Sequence, residues 1–334
     1  MSRGKIFLAV LGSLALVATA CGDDNSTDTS ASSTTAAPTA TTQAGVEDGD
    51  VQAVKIVADD YKFTDVPTDL KAGVVKLSFE NKGKVDHEVA LVEIGDTPLD
   101  QFLKEFPPVL EGGPFPAYAE NVAAPIEIGG GETTEVTFTI AEGTYALMCT
   151  LDGDAEVAAS TTTDPNAAPG GPEDEKPQGP PHFDRGMAQV LTVGPGQADA
   201  ALPKTDGSIT AKDYGFDVDV KAGDKTITYV NDGPNELHFA SISVFPEGTD
   251  AAAAEDAFKQ FLQAGEDSPP PEGLPMPEDV GFSGIFSAGL GDNFQMMQPF
   301  ESGRTYLVTC FLQDRAGGPP HAIGNQMYKV FTVG

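Results

Sequence analysis

The feature that most constrains the fold of this chain is an internal repeat. A Lys-Ala-Gly tripeptide ends at Gly73 and again at Gly223, and an apolar run then leads to a turn at Asn81 or Asn231. The spacing from glycine to asparagine is identical in the two copies. A histidine follows each turn, and these are His87 and His238. The repeat predicts that one type of domain is present twice.

Short apolar segments predict a mainly β structure in each copy. Polar and apolar residues alternate over Glu135–Ile140, and Gly, Asn and Pro punctuate such segments along the chain. This pattern is typical of half-buried strands joined by tight turns. One helix is predicted in each copy, at Leu99–Phe106 and at Ala251–Ala264. We therefore expect an all-β fold of two β-sandwich domains in tandem, each with a short helix insertion.

The chain divides into four predicted segments. Residues 1–21 form a signal segment, 22–50 a tether rich in Ser, Thr and Ala, 51–195 the first domain and 203–334 the second. The tether carries almost no large apolar residue, so it cannot bury enough surface to offset the entropy lost on ordering. We expect it to act as a flexible spacer between a membrane surface and the two domains.

The N-terminus predicts export from the cytoplasm. Arg3 and Lys5 precede an apolar stretch over Ile6–Ala20, and small residues lead into Cys21. This arrangement resembles a bacterial lipoprotein signal, which implies that Cys21 is lipidated and anchors the protein to the outer face of the plasma membrane in the cell envelope. The alternative is secretory cleavage near Ala20 that leaves a free cysteine. Either route places the protein where disulfides are permitted.

The net charge of −32 limits the class of partner. Nucleic acid is excluded because binding to phosphates requires clustered Lys and Arg. An acidic protein can attract a basic redox partner through long-range electrostatics. The alternative is a solvated acidic surface that has no dedicated partner.

Candidate metal ligands occur at equivalent positions of the two copies. The sequence has four His and three Cys, and once Cys21 is assigned to the lipid, two His and one Cys remain in each copy. A methionine follows the second histidine of each set. The candidates are His87, Cys149, His182 and Met187 in the first copy, and His238, Cys310, His321 and Met327 in the second. One thiol, two imidazoles and a thioether form a soft donor set that suits copper.

This ligand order resembles that of the cupredoxin family, the azurin and plastocyanin type. The resemblance covers nearly everything after residue 50, and the spacing from His182 to Met187, with Gly186 directly before the methionine, matches that of the family. The resemblance implies two Greek-key β-sandwich domains with at most one type 1 copper in each. It also implies one-electron transfer, because two His and one Cys with a weak axial Met form the blue-copper arrangement.

The sequence departs from the family pattern in three places. The family keeps the cysteine and the second histidine a few residues apart, whereas 32 residues separate Cys149 from His182 and 10 separate the equivalent pair of the second copy. Met327 lies one residue further from its histidine than the family spacing. Glu88 and Phe239 follow the first histidines, where the family often has asparagine. We expect the second site to be favoured for copper, because its shorter loop tethers the ligands more closely.

Other interpretations of these residues stay open. Cys149 and Cys310 are alternatively the two halves of an inter-domain disulfide, and His87 and His238 are alternatively ordinary residues at the start of a strand. The methionines alone are more typical of a core than of a metal site. Besides electron transfer, the sequence is therefore consistent with copper storage or delivery, or with a metal-free binding module at the cell surface.

The histidine count leads to the prediction that the chain is not an enzyme but an electron carrier or metal-binding protein. Multicopper oxidases and copper nitrite reductases resemble this chain in having linked cupredoxin domains. They also need a second copper centre built from several further histidines, and all four histidines of this sequence are already assigned. The same count argues against a zinc hydrolase with three histidine ligands.

Overall fold

The structure is a computed structural model that describes residues 51–334 with several gaps. The gaps are residues 120–121, 125–126, 153–178, 198–199, 234, 265–272, 283, 287–291 and 296–299. The predicted signal segment, the lipidation site Cys21, the tether and most of the insert between Cys149 and His182 lie outside the described residues. Within the described part of the chain, no helix is both long and apolar enough to cross a membrane.

Strands dominate the first half of the described chain. These strands are β1 (Gln52–Asp59), β2 (Lys62–Thr64), β3 (Gly73–Asn81), β4 (Ala90–Glu93), β5 (Val122–Ala124), β6 (Thr133–Ile140), β7 (Gly143–Met148) and β8 (Ala188–Val193). Two short helices, α1 (Leu99–Glu105) and α2 (Pro107–Leu110), follow β4, and a 3-10 helix spans His182–Arg185.

The second half has a similar order of elements with one more strand and a single helix after its fourth strand. Its strands are β9 (Gly207–Lys212), β10 (Gly215–Asp219), β11 (Thr226–Asn231), β12 (Ser241–Val244), β13 (Glu278–Phe282), β14 (Ile285–Phe286), β15 (Asp292–Gln295), β16 (Thr305–Thr309) and β17 (Tyr328–Thr332). Helix α3 (Ala251–Ala264) follows β12, and the short helix α4 (His321–Gly324) precedes β17.

Each half forms two layers of sheet around an apolar core. In the first half, β2, β1, β3 and β6 form one layer, and β5, β4, β7 and β8 form the other. Tyr145 and Leu147 of β7 face the core between the layers, whereas Ala146 and Met148 face the cluster around α1. Because side chains alternate along a strand, the same period directs Cys149, the residue after β7, into the core.

The two halves share β structure, which was not predicted. Strand β15 of the second half pairs antiparallel with β6 of the first, which joins the layers into one eight-stranded sheet. Strand β14 pairs with β5 in the same way. Both β14 and β15 belong to the segment between α3 and β16, so this segment ties the second half to the first.

Most predicted elements have the expected type. The all-β architecture of two cupredoxin-like sandwiches is confirmed, α3 has the predicted bounds, and α1 ends one residue before the predicted end. Helix α2 lies in the segment from Pro107 that was expected to be a loop, and its prolines occupy the first two helical positions. Proline is tolerated there because those positions have no backbone N–H bond to lose. The domain limits of 51–195 and 203–334 stay a prediction.

Candidate metal centres

In the first half, His87, Cys149 and His182 converge at one end of the sandwich. All three side chains are buried, and their donor atoms lie within 4.8 Å of one another. His87 Nδ1 lies 3.2 Å from His182 Nδ1. Cys149 Sγ lies 3.9 Å from His87 Nδ1 and 3.4 Å from His182 Nδ1. The start of β4, the end of β7 and the start of β8 meet at this end of the sheet, which is why residues far apart in sequence come together.

The second half builds the same arrangement from His238, Cys310 and His321. The two Nδ1 atoms lie 3.2 Å apart, and Cys310 Sγ lies 3.9 Å from His238 Nδ1 and 3.5 Å from His321 Nδ1. The corresponding distances of the two sites therefore agree within 0.1 Å. The structure groups the six side chains as the sequence analysis did, and their individual roles as ligands stay a prediction.

An Asn-x-Gly turn positions the first histidine of each site. Asn81 Nδ2 donates to Val85 O at 2.8 Å and Ile128 O at 3.1 Å, and its Oδ1 accepts from Gly83 N at 2.9 Å. A Cβ on Gly83 would lie 3.1 Å from His87 Nε2. The turn therefore presses its backbone against the imidazole, and only glycine leaves room for that approach.

The same turn recurs in the second half. Asn231 donates to Glu236 O at 2.8 Å and accepts from Gly233 N at 3.0 Å. A Cβ on Gly233 would lie only 2.8 Å from His238 Nε2. The repeated Asn and Gly of the sequence thus hold each ring by close packing against the backbone.

In each site, backbone hydrogen bonds join the two ends of the ligand loop, which is the segment from the cysteine to the methionine. In the first site, His182 N donates to Leu151 O at 2.8 Å, Phe183 N to Cys149 O at 3.1 Å, and Met187 N to His182 O at 3.0 Å. These bonds bring the cysteine and the histidine together whatever the number of residues between them. The long insert consequently does not loosen the donor atoms, and the geometry gives no preference for the second site.

The second loop has the same closure despite its extra residue. His321 N donates to Leu312 O at 2.7 Å and Met327 N donates to His321 O at 3.0 Å. The residue before the methionine has a left-handed backbone in both loops, with φ 105° at Gly186 and 55° at Gln326. Met187 and Met327 are both fully buried in the core beside the sites. Their axial role stays a prediction.

Burial sets the protonation of the donor atoms. It lowers the pKa of His87 and of His238 to about 4, and the second histidine of each pair adds to the effect. Burial also lowers the pKa of His321, although Asp314 opposes this. Neutral imidazoles have a lone pair available for a metal. Burial raises the pKa of Cys310 to about 12 and also raises that of Cys149, so each thiol needs a bound cation to lose its proton.

The donor set fits copper. Three ligands at about 2 Å from a metal in one plane lie about 3.5 Å from one another, and the measured separations run from 3.2 to 3.9 Å. A thiolate and two imidazoles suit copper. Both cysteines are free and each lies inside its own histidine pair, which argues against the inter-domain disulfide. Copper is therefore the cofactor, with one ion per domain.

A tyrosine lies over the second histidine of each site. The ring of Tyr61 meets His182 edge-on at 5.0 Å, and Tyr214 meets His321 edge-on at 5.2 Å between centroids. Both tyrosines have a left-handed backbone, with φ 61° and 65°, at the tip of a hairpin. The sequence analysis missed their role, although both copies carry Asp-Tyr-x-Phe at this place.

The groups beside these tyrosines differ in charge. In the first site, the guanidinium of Arg185 lies 3.6 Å from the centre of the Tyr61 ring. In the second, Tyr214 Oη donates to Asp314 Oδ1 at 2.8 Å, and the same oxygen lies 3.0 Å from His321 Nε2. A carboxylate on the outer nitrogen of a metal-bound histidine fixes the ring and raises its basicity. The sequence analysis missed both Arg185 and Asp314.

Glu88, which follows His87, is hydrogen-bonded to Thr150, which follows Cys149. Its Oε1 accepts from Thr150 N at 3.0 Å and from Thr150 Oγ1, and its own N–H points to Cys149 Sγ at 3.5 Å. Burial raises the pKa of Glu88. Burial, Glu88 and Asp86 together raise the pKa of the nearby Glu127 to about 7. Phe239, at the equivalent position in the second site, packs in the core instead.

The chain therefore consists of two cupredoxin-like domains, each with a buried copper-binding cluster. No protein-family model and no curated protein matches the sequence. Among solved structures it is similar to reduced auracyanin from Roseiflexus castenholzii, with 21% identity over 43% of this chain and 98% of that chain and a TM-score of 0.27. A TM-score of this size adds no support to the fold, which rests on the topology and geometry above.

The prediction that the chain is not an enzyme is contradicted. The chain is similar to a multicopper oxidase, with 13% identity over 87% of this chain and 92% of that chain and a TM-score of 0.23. It is also similar to copper nitrite reductase from Nitrosomonas europaea, with 15% identity over 85% and 94% and a TM-score of 0.22. Both of those proteins are enzymes. The similarities assign neither activity to this chain.

Proposed function

We propose that the protein transfers single electrons through its two copper sites at the outer face of a bacterial plasma membrane. The observation that carries the proposal is the pair of buried His-Cys-His clusters, which the fold builds twice with the same distances. Bound copper supplies a metal that cycles between two oxidation states in such a donor set. The protein contributes donors that are held in place by backbone hydrogen bonds and close packing.

The rigidity of the donors supports electron transfer over storage. The backbone bonds of Cys149, His182 and Met187 and the packing of His87 against Gly83 fix every donor element. Donors that cannot move give both oxidation states of copper similar surroundings, so little rearrangement accompanies the gain or loss of an electron. The buried thiolate and the apolar core also keep water from the metal.

The test is copper loading of the full chain in detergent, followed by visible absorption and redox cycling. We expect one copper per domain, an intense thiolate-to-copper band, and retention of the metal in both oxidation states. Cys149→Ser and Cys310→Ser are each expected to remove one copper and part of the band. A loaded protein without such a band overturns the proposal, and loss of copper on reduction indicates storage or delivery instead.

We also propose that Cys21 carries the lipid anchor. The order of basic, apolar and small residues before Cys21 supports this, as does the Ser-, Thr- and Ala-rich composition of residues 22–50. Cys21→Ala is expected to release the protein into the soluble fraction with its copper bands unchanged. Continued membrane association of that variant contradicts the anchor.

The redox partner is proposed to be a basic protein. A net charge of −32 creates a long-range field that raises the association rate with a cation. With a basic haem protein as a probe, electron transfer is expected to slow steeply as salt rises, because salt screens this field. A rate that is independent of salt contradicts a basic partner.

A further inference from the structure

The ligand loop of the second metal site lies against the helical insertion of the first domain. Phe115 N donates to Arg315 O at 2.8 Å, and Arg315 Nη1 donates to Ala119 O at 2.7 Å. The Arg315 guanidinium lies 5.7 Å from the centre of the Phe115 ring. Arg315 belongs to the segment between Cys310 and His321, so this contact connects the second site directly to the first domain.

Aromatic rings extend from this contact to the first metal site. The Phe115 and Phe106 rings meet edge-on with centroids 6.2 Å apart, and the Phe106 and Phe183 rings meet edge-on at 6.1 Å. Phe106 and Phe183 are buried. Phe183 is the residue after His182, and its N–H donates to Cys149 O at 3.1 Å.

The other end of the contact reaches the second metal site through one side chain. Asp314 directly precedes Arg315, and its Oδ1 lies 3.0 Å from His321 Nε2. Arg315 is held in place by its own N–H to Glu236 Oε2 at 2.6 Å and by its Nε to Asn235 O at 2.9 Å.

The apolar packing around these rings is continuous between the sites. One cluster of buried residues contains Phe183 and Phe106 together with Leu237, the residue before His238. Leu312 of the second ligand loop packs against the same cluster. Interiors packed in this way contain few voids, and electronic coupling through protein weakens steeply across a void.

We propose that this contact is an electron route between the two metal sites. In spatial order from the first site to the second, the route consists of His182, Phe183, Phe106, Phe115, Arg315, Asp314 and His321. With copper bound in both sites, one electron would pass from the reduced site to the oxidised one, with no bond made and no proton exchanged. The inference rests on the proposed function, because it requires copper in both sites.

The route gives the two sites a joint function. Either site can accept an electron from a partner, and the other can release it at a different place on the surface. The aromatic insertion formed by α1 and α2 then has a role beyond packing, since it lies between the first ligand loop and the second.

The test measures electron exchange within the copper-loaded full chain. A photosensitiser attached at the exposed position 62, through a Lys62→His change, injects one electron near the first site. Freeze-quenched EPR then follows its redistribution, with the signal of each site assigned from Cys149→Ser and Cys310→Ser. The exchange is expected to be first order and independent of protein concentration.

Phe106→Leu and Phe115→Leu are each expected to slow the exchange several-fold relative to the unchanged chain, because each removes an aromatic ring and leaves a void in the packed route. Phe102→Leu is the matched control, because Phe102 is buried in the same cluster and packs on Phe106 at 5.2 Å but is not part of the route. Copper content and absorption bands of the three variants are expected to match one another, and thermal unfolding verifies that each variant is folded.

Three results overturn the route. They are exchange that is unaffected by Phe106→Leu and Phe115→Leu, exchange that Phe102→Leu slows equally, and exchange whose rate rises with protein concentration. Each leaves the proposed function standing, because copper bands and redox cycling remain. Absence of a copper signal from both single-cysteine variants overturns the proposed function instead.

Discussion

The first and second metal sites differ more in their surroundings than in their donor atoms. The distances from sulfur to nitrogen agree within 0.1 Å, although the loops from cysteine to histidine contain 32 and 10 residues. Both sites share an Asn-x-Gly turn under the first histidine and the same backbone bonds at the loop base. The distances between the donor atoms therefore depend on this turn and these backbone hydrogen bonds, and not on the length of the loop.

The surroundings of the two sites differ in charge. Glu88 bridges to Thr150 in the first site, where Phe239 takes its place in the second. Arg185 lies beside the outer edge of the first site, whereas Asp314 contacts the outer nitrogen of His321 in the second. One donor set is thus placed in two electrostatic environments, which is a means of giving two copper ions different potentials.

The largest expected effect is a loss of copper affinity when a methyl group is added to the glycine that packs against the first histidine of each site. Gly233→Ala places a methyl group 2.8 Å from His238 Nε2, so the ring must move. Since the ring carries a donor atom, we expect copper affinity at the second site to fall by about 10- to 100-fold. Gly83→Ala is expected to have a smaller effect, because its closest contact is the side chain of Asp60 and the His87 ring is 3.1 Å away.

Isothermal titration with copper measures both variants. Gly215→Ala is the control, because its nearest neighbour would be at 3.8 Å and its backbone is not left-handed. An equal loss of affinity in Gly83→Ala and Gly233→Ala would show that the difference in clearance has no consequence. Unchanged affinity in both would show that the turns do not position the rings.

The next largest effect is a loss of stability when the hydrogen bonds between Glu88 and Thr150 are removed. Glu88→Ala removes the acceptor of Thr150 N and leaves that half-buried group without this partner, which costs about 0.5–1.5 kcal/mol of unfolding free energy. Glu88→Gln keeps an acceptor oxygen and is expected to lose less than half of that. Chemical denaturation of the copper-free protein measures both. Equal losses would mean that packing, and not the hydrogen bond, is what Glu88 contributes.

The charges beside the tyrosines are expected to shift the two potentials in opposite directions. Asp314→Asn removes a negative charge that stabilises the oxidised metal, so the potential of the second site rises. Arg185→Gln removes a positive charge, so the potential of the first site falls. Shifts of about 50 mV correspond to about 1 kcal/mol for a one-electron couple, and the Arg185 shift is smaller because that side chain is exposed.

Spectroelectrochemistry of each site, with the other inactivated by its Cys→Ser change, measures these shifts. The Arg185 effect is expected to vanish at high salt and the Asp314 effect to persist, since screening acts mainly on exposed charges. Shifts of the same sign in both variants would contradict the electrostatic account of the difference between the sites.

The grouping of the six histidine and cysteine side chains was predictable because the sequence leaves few alternatives. Every histidine, and every cysteine after Cys21, falls at an equivalent position of the repeat. A role for Tyr61 and Tyr214 at the sites was predictable for the same reason, because both copies carry the Asp-Tyr-x-Phe pattern. Asp314 was not, because it belongs to a loop whose two versions differ in length and composition, so nothing in the repeat marks it.

The contacts between the two domains could not be predicted from the sequence. The pairing of β15 with β6 depends on which edge of the first sheet is uncovered, and a segment of four residues contains no signal for that choice. The contact of Arg315 with Phe115 depends in turn on how the domains are placed by that pairing. The loop length was misleading for a different reason: the hydrogen bonds at its base are backbone bonds, which no side-chain pattern reveals.

The smallest expected effect tests whether loop length matters at all. Replacing residues 153–178 by a short Gly-Ser segment makes the first loop comparable in length to the second. The bonds from His182 N to Leu151 O and from Phe183 N to Cys149 O lie outside the deletion, so the copper band and potential of the first site are expected to stay unchanged. Shortening the loop from 32 to about 10 residues lowers the entropy lost when its ends are brought together, which stabilises the fold by about 1 kcal/mol.

Copper titration, visible absorption and chemical denaturation of the deletion variant provide the measurement. A shortened variant of the second loop is not a suitable control, because that loop contains Asp314 and Arg315. The unmodified second site within the same molecule serves instead, since its band reports any general damage. A shifted band or weakened copper binding confined to the first site would mean that the insert contributes to it. The agreement between the donor distances of the two sites would then depend on the insert, which only the first site has.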